Sequence, residues 1–505
     1  MAGTQAEPFD LFVVGGGING AGIANDATGR GLKVGLCEMA DFAGATSSAS
    51  TKLIHGGLRY LEYYEFRLVR EALAEREVLL RKAPHIIWPL RFVLPHEPHL
   101  RPSWMIRIGL FLYDHIGGRM SLPKSQGVAL QGTPWGEGLA SRYTKGFVYS
   151  DCWVDDARLV IFNLMQAREK GAAIFARTQC MDARRDGDLW RIALRDLPTG
   201  QDREVFARGM VNAAGPWVRR LFDRLSGVRR GTGVRLVKGS HIVVPRLHKG
   251  EHAFILQNKD NRIVFVIPYE RDFSLIGTTD LAYEGEPREV KITPEEIDYL
   301  CAIASDYLDK PVTPSQVVWS YSGVRPLHDD GTANPSAVTR DYTFELDAPD
   351  DRLPLLSIYG GKITTYRELA ERALHRLKPF YPSMGPDWTA DGPLPGGDLG
   401  LTFEAFVGAL EAQHPALDPD TVRAIARRHG SHARRILEGV VAPDDLGRHF
   451  GAHLFAREVE WLMREEWALD AEDVLWRRTK EGLHMSEAER ADLAEWMATR
   501  RRNRL

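Results

Sequence analysis

Phe9-Asp10-Leu11-Phe12-Val13-Val14 is an apolar run that ends on Gly15-Gly16-Gly17-Ile18-Asn19-Gly20, and this junction decides the fold. The run has the length and composition of a buried parallel strand. Gly15, Gly17 and Gly20 follow it at the G-x-G-x-x-G spacing. A helix is predicted from about Ile18 to Arg30, with Gly31 as its C′ residue. Lys33 to Cys37 supply the next strand, and Glu38 stands at its end. Glycines so placed allow a tight turn and close approach of backbone to a pyrophosphate, whose charge faces the helix N-terminus. Glu38, about twenty residues past the first glycine, can accept hydrogen bonds from an adenosine ribose. A glycine motif alone would also suit an ordinary strand–helix turn. Strand, helix, second strand and acid together point to a dinucleotide.

The loop after Glu38 discriminates between dinucleotides. Ala45-Thr46-Ser47-Ser48-Ala49-Ser50-Thr51 is a run of small residues and hydroxyls. A nicotinamide enzyme would continue into another strand–helix unit at this point. A loop lying along a fixed cofactor instead uses small residues for closeness and hydroxyls for phosphate and ring contacts.

Gly15 to Gly22, Ala45 to Ser50 and Lys52-Leu53-Ile54-His55-Gly56-Gly57-Leu58-Arg59-Tyr60-Leu61 resemble FAD-dependent glycerol-3-phosphate dehydrogenase of the respiratory type, and the likeness runs nearly the whole chain. The resemblance implies FAD as cofactor and no metal. It implies an α/β plus α fold: a Rossmann-type FAD-binding domain, an antiparallel β-sheet substrate domain of the D-amino-acid oxidase and glycine oxidase-like superfamily, and a helical C-terminal domain. The flavin ligands it implies are Gly15, Gly17, Gly20, Glu38, Thr46, Ser47, Ser48, Ser50, Lys52, His55 and Gly56. Ala214 and Gly215, where the chain returns to the nucleotide, and Gly361, Thr364 and Thr365 complete the set.

A chain of 505 residues is too long for one compact core. The expected division is 1–85, 148–235 and 325–382 for the FAD-binding domain, and 86–147 with 236–324 for the substrate-binding, membrane-facing domain. A linker at 383–400 and a helical domain at 401–505 come after them. The formal net charge of −3 argues against a nucleic-acid binder. Cys37, Cys152, Cys180 and Cys301 lack metal or redox spacing and read as free thiols in a reducing compartment. The N-terminus has neither the basic nor the apolar region of a secretory signal. No apolar stretch reaches the roughly 18–20 residues needed to span a bilayer.

Along the chain, a helix is expected from about Tyr64 to Lys82, with Glu71, Glu75, Arg76 and Glu77 on a solvated face. Residues 102–120 carry Trp104, Met105, Ile106, Ile108, Leu110, Phe111, Leu112 and Ile116, with Arg107 and Asp114 as a narrow polar strip. Arg91, Arg101, Arg107, Arg119 and Lys124 outnumber the local acids. The pattern fits a helix lying in a membrane interface, and equally a helix packed in a core. The resemblance favours the membrane, because such enzymes deliver electrons to quinone, ubiquinone or menaquinone. It further implies a peripheral enzyme on the cytoplasmic face of the inner membrane and a homodimer. Thr365 with Glu368, and Ser486 with Glu489, read as capping boxes. No catalytic constellation is visible after residue 400.

Oxidising the secondary alcohol of glycerol 3-phosphate to dihydroxyacetone phosphate needs a base, a hydride acceptor and cations for the phosphate. Arginine suits the phosphate because its planar fork donates bidentate bonds. Arg59, Arg325, Arg340 and Lys362 stand in glycine-rich or loop-like contexts. A single arginine in a loop is more often a surface charge; the resemblance gives Arg59, Tyr60, Arg340 and Lys362 to the substrate. Thr278 and Thr279 are expected at its glycerol end. His241, in Lys238-Gly239-Ser240-His241, is the candidate base because an imidazole titrates near neutrality. Arg325 would share the catalytic work by lowering the pKa of the alcohol, and His55 is expected at the flavin. Two rivals stand beside this reading: an oxidase of the same family that reduces oxygen to peroxide, and a non-catalytic, membrane-docked FAD-binding redox module.

Overall fold

The computed structural model describes residues 3–97, 101–118, 120–228, 233–258, 260, 262–328 and 342–502. A strand that is apolar on both sides is stable only when both its faces are covered. Phe9–Val14 accordingly lies inside a nine-stranded sheet, parallel to Val34–Cys37 on one side and to the end of Asp202–Asn212 on the other. Val14 pairs with both Cys37 and Asn212, so Gly15, Glu38 and Ala213 emerge together at one edge. Leu355–Tyr359 joins the same parallel layer beside Met210 to Asn212. The helices Ile18–Gly29, Asp156–Glu169 and Tyr366–Leu377 cover one face. Gly22 lets Tyr366 close in, since a Cβ there would stand 2.8 Å from its ring. Asp202–Asn212 changes partners midway, its first half running antiparallel to Leu189–Asp196.

A ten-stranded sheet forms the second layer. Side chains alternate along its strand Val234–Pro245. Ile242 and Val244 pack toward the helix Pro294–Tyr307, while His241 and Val243 face the other way. The expected boundaries at 148 and 325 fall inside strands of this sheet. Lys145–Val154 pairs along its length with Ile87–Pro95, and Trp319–His328 pairs with Val234–Val243. Leu53–Ile54, just after the serine loop, also joins it. The strands at 148 and 325 both belong wholly to this sheet, and their alternating residues give no compositional break at either position.

Three further expectations change. The helix after the loop starts at Phe66, and Glu75, Arg76 and Glu77 are buried within it, not solvated. Arg76 Nη1 donates to Asp151 Oδ1 at 2.8 Å, and Arg367 Nε to Glu75 Oε2 at 2.8 Å, because this helix is wedged between domains. Among the described residues Thr365 accepts no capping hydrogen bond, and Glu368 pairs instead with Arg372. Ser486 and Glu489 do form the reciprocal pair. The expected linker at 383–400 is packed: Trp388 donates to the Asp26 carbonyl at 3.1 Å, and Leu394 is buried.

Ser103–Ile116 is a helix with two apolar faces. Leu110 and Tyr113 are buried, whereas Trp104 is 62% exposed, Phe111 61% and Ile108 52%. Tyr63, Tyr64 and Phe66 add exposed rings in an adjoining segment that also packs on this helix. Arg119 of the expected cationic flank and Arg504 of the tail lie outside the described residues. No described helix is long and apolar enough to cross a membrane.

Candidate cofactor and substrate site

A cavity of about 790 Å³ opens where the parallel strands end. Its floor is the glycine turn. Gly15 has φ +116°, and a Cβ there would stand 2.4 Å from the Ala213 carbonyl oxygen. A Cβ on Gly20 would fall 1.9 Å from the Gly15 carbonyl, so only glycine lets the helix start this close to the turn. Glu38 lines the cavity with its carboxylate held by the Gly16 amide at 2.8 Å and the Ala40 amide at 2.7 Å. Burial nevertheless raises its carboxyl above the ordinary value.

Thr46, Ser47 and Ser48 lie along the same wall. Ser47 Oγ accepts the Ile18 amide at the helix N-terminus at 2.9 Å, and Thr46 Oγ1 donates to the Val324 carbonyl at 2.6 Å. Ala214, Gly215 and Gly361 complete the wall among the expected cofactor residues. Asn19 is a residue that the spacing alone did not mark. Its Nδ2 donates to the Gly360 carbonyl at 3.1 Å, while its buried Oδ1, on the cavity wall, has no partner among the described residues. An orphaned acceptor, a glycine cradle and an amide-rich helix start fit an extended dinucleotide.

Other expected cofactor residues stand behind this wall. Lys52, 1% exposed, donates to Asp156 Oδ1 at 2.8 Å and to the Ser48 carbonyl at 3.0 Å, and Ser50 Oγ donates to Asp156 Oδ2 at 2.8 Å. They brace the loop from below. Gly56 donates its amide to Tyr113 Oη at 2.8 Å and packs on Leu73, which places it under the Ser103–Ile116 helix. The His55 amide donates to Thr364 Oγ1 at 3.3 Å, so the loop meets the turn before Tyr366–Leu377. Thr364 and Thr365 are both buried.

The substrate candidates gather around a junction of backbone. The Gly360 amide donates to the Pro326 carbonyl at 2.9 Å, bringing the segments of Arg325 and Lys362 together. Arg325 Nη1 reaches Asp280 Oδ1 at 2.9 Å, and a Cβ on Gly239 would stand 2.9 Å from Arg325 Nη2 and 2.8 Å from Thr278 Oγ1. Gly239 thus leaves room for both groups. Lys362 Nζ lies 3.7 Å above the Tyr60 ring centre. Arg59 turns outward and donates to Tyr63 Oη at 3.2 Å. Thr279 departs from its expected role: it is buried, accepts the Ser240 amide at 2.9 Å and donates to Glu296 Oε1 at 2.8 Å. Its neighbour Ser240 faces the helix Pro294–Tyr307, and that polar knot holds the strand on its far side. Arg340 lies outside the described residues.

His241 sits on the near face of the strand, beside the cavity wall formed by Tyr321 and Ser322. Its ring stacks on Tyr321 with centroids 4.8 Å apart and planes inclined by 15°. Nε2 meets Thr51 Oγ1 at 2.9 Å, and Nδ1 has no partner among the described residues. Gly277 makes the space, since a Cβ there would stand 2.1 Å from the imidazole. Burial, with Lys52 and Arg325 nearby, drives its pKa well below the ordinary 6.5. The ring is therefore neutral at physiological pH, not poised at its midpoint.

The end of the chain also reaches the site. Glu472, Trp476 and Arg477 line the cavity, although nothing in their spacing marks them. No group of three or more metal-ligating side chains occurs among the described residues.

Comparison with known proteins agrees with this geometry. Residues 10–367 match the model of the FAD dependent oxidoreductase family, and 388–500 match that of the C-terminal domain of alpha-glycerophosphate oxidase. A glycerol-3-phosphate dehydrogenase of Pseudomonas aeruginosa is 54% identical over 97% of this chain and 95% of its own. A D-erythritol 1-phosphate dehydrogenase of Brucella abortus is 53% identical over 97% and 98%. The solved structure of a Bacillus halodurans glycerol-3-phosphate dehydrogenase complexed with FAD superposes with a TM-score of 0.73 at 27% identity, covering 97% of this chain and 94% of that one.

Proposed function

The chain belongs to the family of FAD-dependent oxidoreductases, and from that premise we propose that it oxidises sn-glycerol 3-phosphate to dihydroxyacetone phosphate and passes the electrons to a membrane quinone, ubiquinone or menaquinone. Bound FAD supplies the two-electron acceptor for this chemistry. Gly15, Gly17, Glu38, Ser47, Ser48, Ala214 and Gly361 would hold it, with Asn19 supplying the acceptor that lacks a partner among the described residues.

The observation that carries the proposal is the approach of Arg325 and Thr278 at Gly239, with a neutral imidazole within electrostatic reach of Arg325 and the Lys362 segment tied to theirs by the Gly360–Pro326 hydrogen bond. Lys362 with Tyr60 holds the phosphate, and Arg59 guards the outer rim. Thr278 and Arg325 bind the hydroxyl end. Arg325 stabilises the alkoxide that develops as the alcohol loses its proton to His241. A neutral His241 carries a lone pair on one ring nitrogen to take that proton. Anaerobic titration with glycerol 3-phosphate should bleach the visible flavin absorbance in one stoichiometric step; an unbleached holoenzyme would sink the proposal.

The exposed apolar face of Ser103–Ile116, too short to span and flanked by Arg101 and Lys124, supports a peripheral membrane seat, which we assign to the cytoplasmic face of the inner membrane. It favours quinone over oxygen as acceptor, and stoichiometric peroxide without quinone would reverse that preference. The similarity to a D-erythritol 1-phosphate dehydrogenase supports a second substrate reading with the same chemistry on a longer polyol phosphate. The ratio of kcat/KM for the two phosphates decides between them.

A further inference from the structure

One side of the cofactor cavity is closed by a segment that begins more than four hundred residues after the glycine turn. Within residues 466–481 the backbone widens into a π-helix, Asp473–Arg478, which carries Trp476 and Arg477 on the cavity wall. Such widened turns are rare and recur at functional sites. Trp476 lies flat on Trp319, another wall residue, with centroids 4.7 Å apart and planes inclined by 15°. Arg477 and Arg478 converge on a single carboxylate, Asp41. Arg478 reaches it at 2.7 Å and 2.9 Å, and Arg477 does so through Nε.

Asp41 is 3% exposed and three residues past Glu38, at the start of the loop that carries Thr46 to Ser48. Behind it, Arg158 forks onto Glu466 at 2.8 Å and 2.9 Å, and Lys480 reaches Asp155 at 3.0 Å. Buried ion pairs add little net stability, but they fix geometry, because each partner left alone is costly. Here they tie residues 466–481 to the loop at Asp41 and to Asp155 and Arg158 behind it.

Building on the FAD assignment, we propose that the C-terminal helical unit is the latch of the cofactor site. FAD enters and leaves only when residues 466–481 lift from the loop at Asp41, and Arg477 and Trp476 are positioning residues for FAD retention.

The test follows FAD release from diluted holoenzyme by the return of free-flavin fluorescence. Arg477→Ala, Trp476→Ala and the double variant should release FAD about tenfold faster or more, the effect of losing one charge-assisted contact or one aromatic stack. Arg423→Ala, which breaks a surface pair with Glu404 in the same unit, should release it at the wild-type rate. Wild-type rates in all three clamp variants would overturn the proposal. Hydrogen exchange on the unmutated protein stands independent of variant folding. Amides of 473–478 should exchange more slowly in holoenzyme than after FAD removal, and equal rates would also overturn it. A wild-type protein that binds no FAD would instead sink the cofactor assignment itself.

Discussion

Lys362 Nζ stands 3.7 Å above the ring of Tyr60, so two residues three hundred positions apart share one cation–π contact beside the cofactor turn. The ring fixes the ammonium without neutralising it, which suits the group to a phosphate. Lys362→Ala should raise the KM for glycerol 3-phosphate about ten- to a hundredfold, in line with roughly 1.5–3 kcal/mol for a charge-assisted contact. Tyr60→Phe should keep most of the affinity and Tyr60→Leu should not. An unchanged KM in the lysine variant would remove Lys362 from the phosphate site.

His241 gives a prediction with a definite sign. Its conjugate acid is disfavoured first by burial and then by Lys52 and Arg325, so its pKa lies well below 6.5. A base must be unprotonated to act, and this one stays so as pH falls through 6.5. The acid limb of kcat/KM should therefore appear below 6.5. A limb at or above that value would contradict His241 as the base, while His241→Asn should lower kcat about 10²–10⁴-fold.

The interface helix is best probed on its outer face. Phe111 and Ile108 are exposed, so Ile108→Asp with Phe111→Asp should shift the enzyme from sedimenting vesicles to the supernatant with its thermal midpoint retained. Leu110→Asp would bury a charge beneath the same helix and should unfold it. Vesicle binding unchanged in the exposed double variant would turn the proposal of a membrane seat down.

Acid should loosen the C-terminal unit. Burial alone would raise the Glu458 carboxyl, but Arg428 at 2.7 Å and His429 at 2.8 Å outweigh it and hold it down to about 2. A depressed carboxylate contributes stability above its unfolded value of 4.5 and loses it as pH falls toward 2. On the order of 3 kcal/mol is at stake. The melting temperature should fall in wild type between about pH 5 and pH 2, the span of that loss, and fall less in Glu458→Gln. A wild-type melting temperature indifferent to acid would contradict the pairing.

The nucleotide end of the site is legible in the sequence because its constraints are local. Gly15, Gly20 and Glu38 are required by one turn and the strand after it, and their spacing carries that requirement. Lys52 is not legible, because its partner, Asp156, lies 104 residues away, and a lysine in a serine-rich loop looks like a ligand until the carboxylate beneath it is seen. Thr278 and Thr279 are neighbours just past the end of the strand Phe273–Gly277, yet one lies by Arg325 and the other in the Glu296 knot, a difference that their adjacency hides. Glu75, Arg76 and Glu77 look solvated because amphipathic spacing cannot distinguish water from another domain's ion pairs. Trp476 and Arg477 escape notice for the same reason: they acquire their meaning from Trp319 and Asp41, which no short motif connects to them.

The placement of Phe9–Val14 between Val34–Cys37 and Asp202–Asn212, with Leu355–Tyr359 one strand further out, also bears on how the protein is made. A ribosome releases the glycine turn first and its strand soon meets Val34–Cys37, yet the other side of that strand lacks a neighbour until some two hundred residues more have emerged. At ordinary elongation speeds that wait is on the order of tens of seconds. Until then one side of the apolar strand is an open edge, and the cavity wall is complete only once Gly361 and Arg477 have also emerged, so cofactor capture belongs to the closing moments of synthesis.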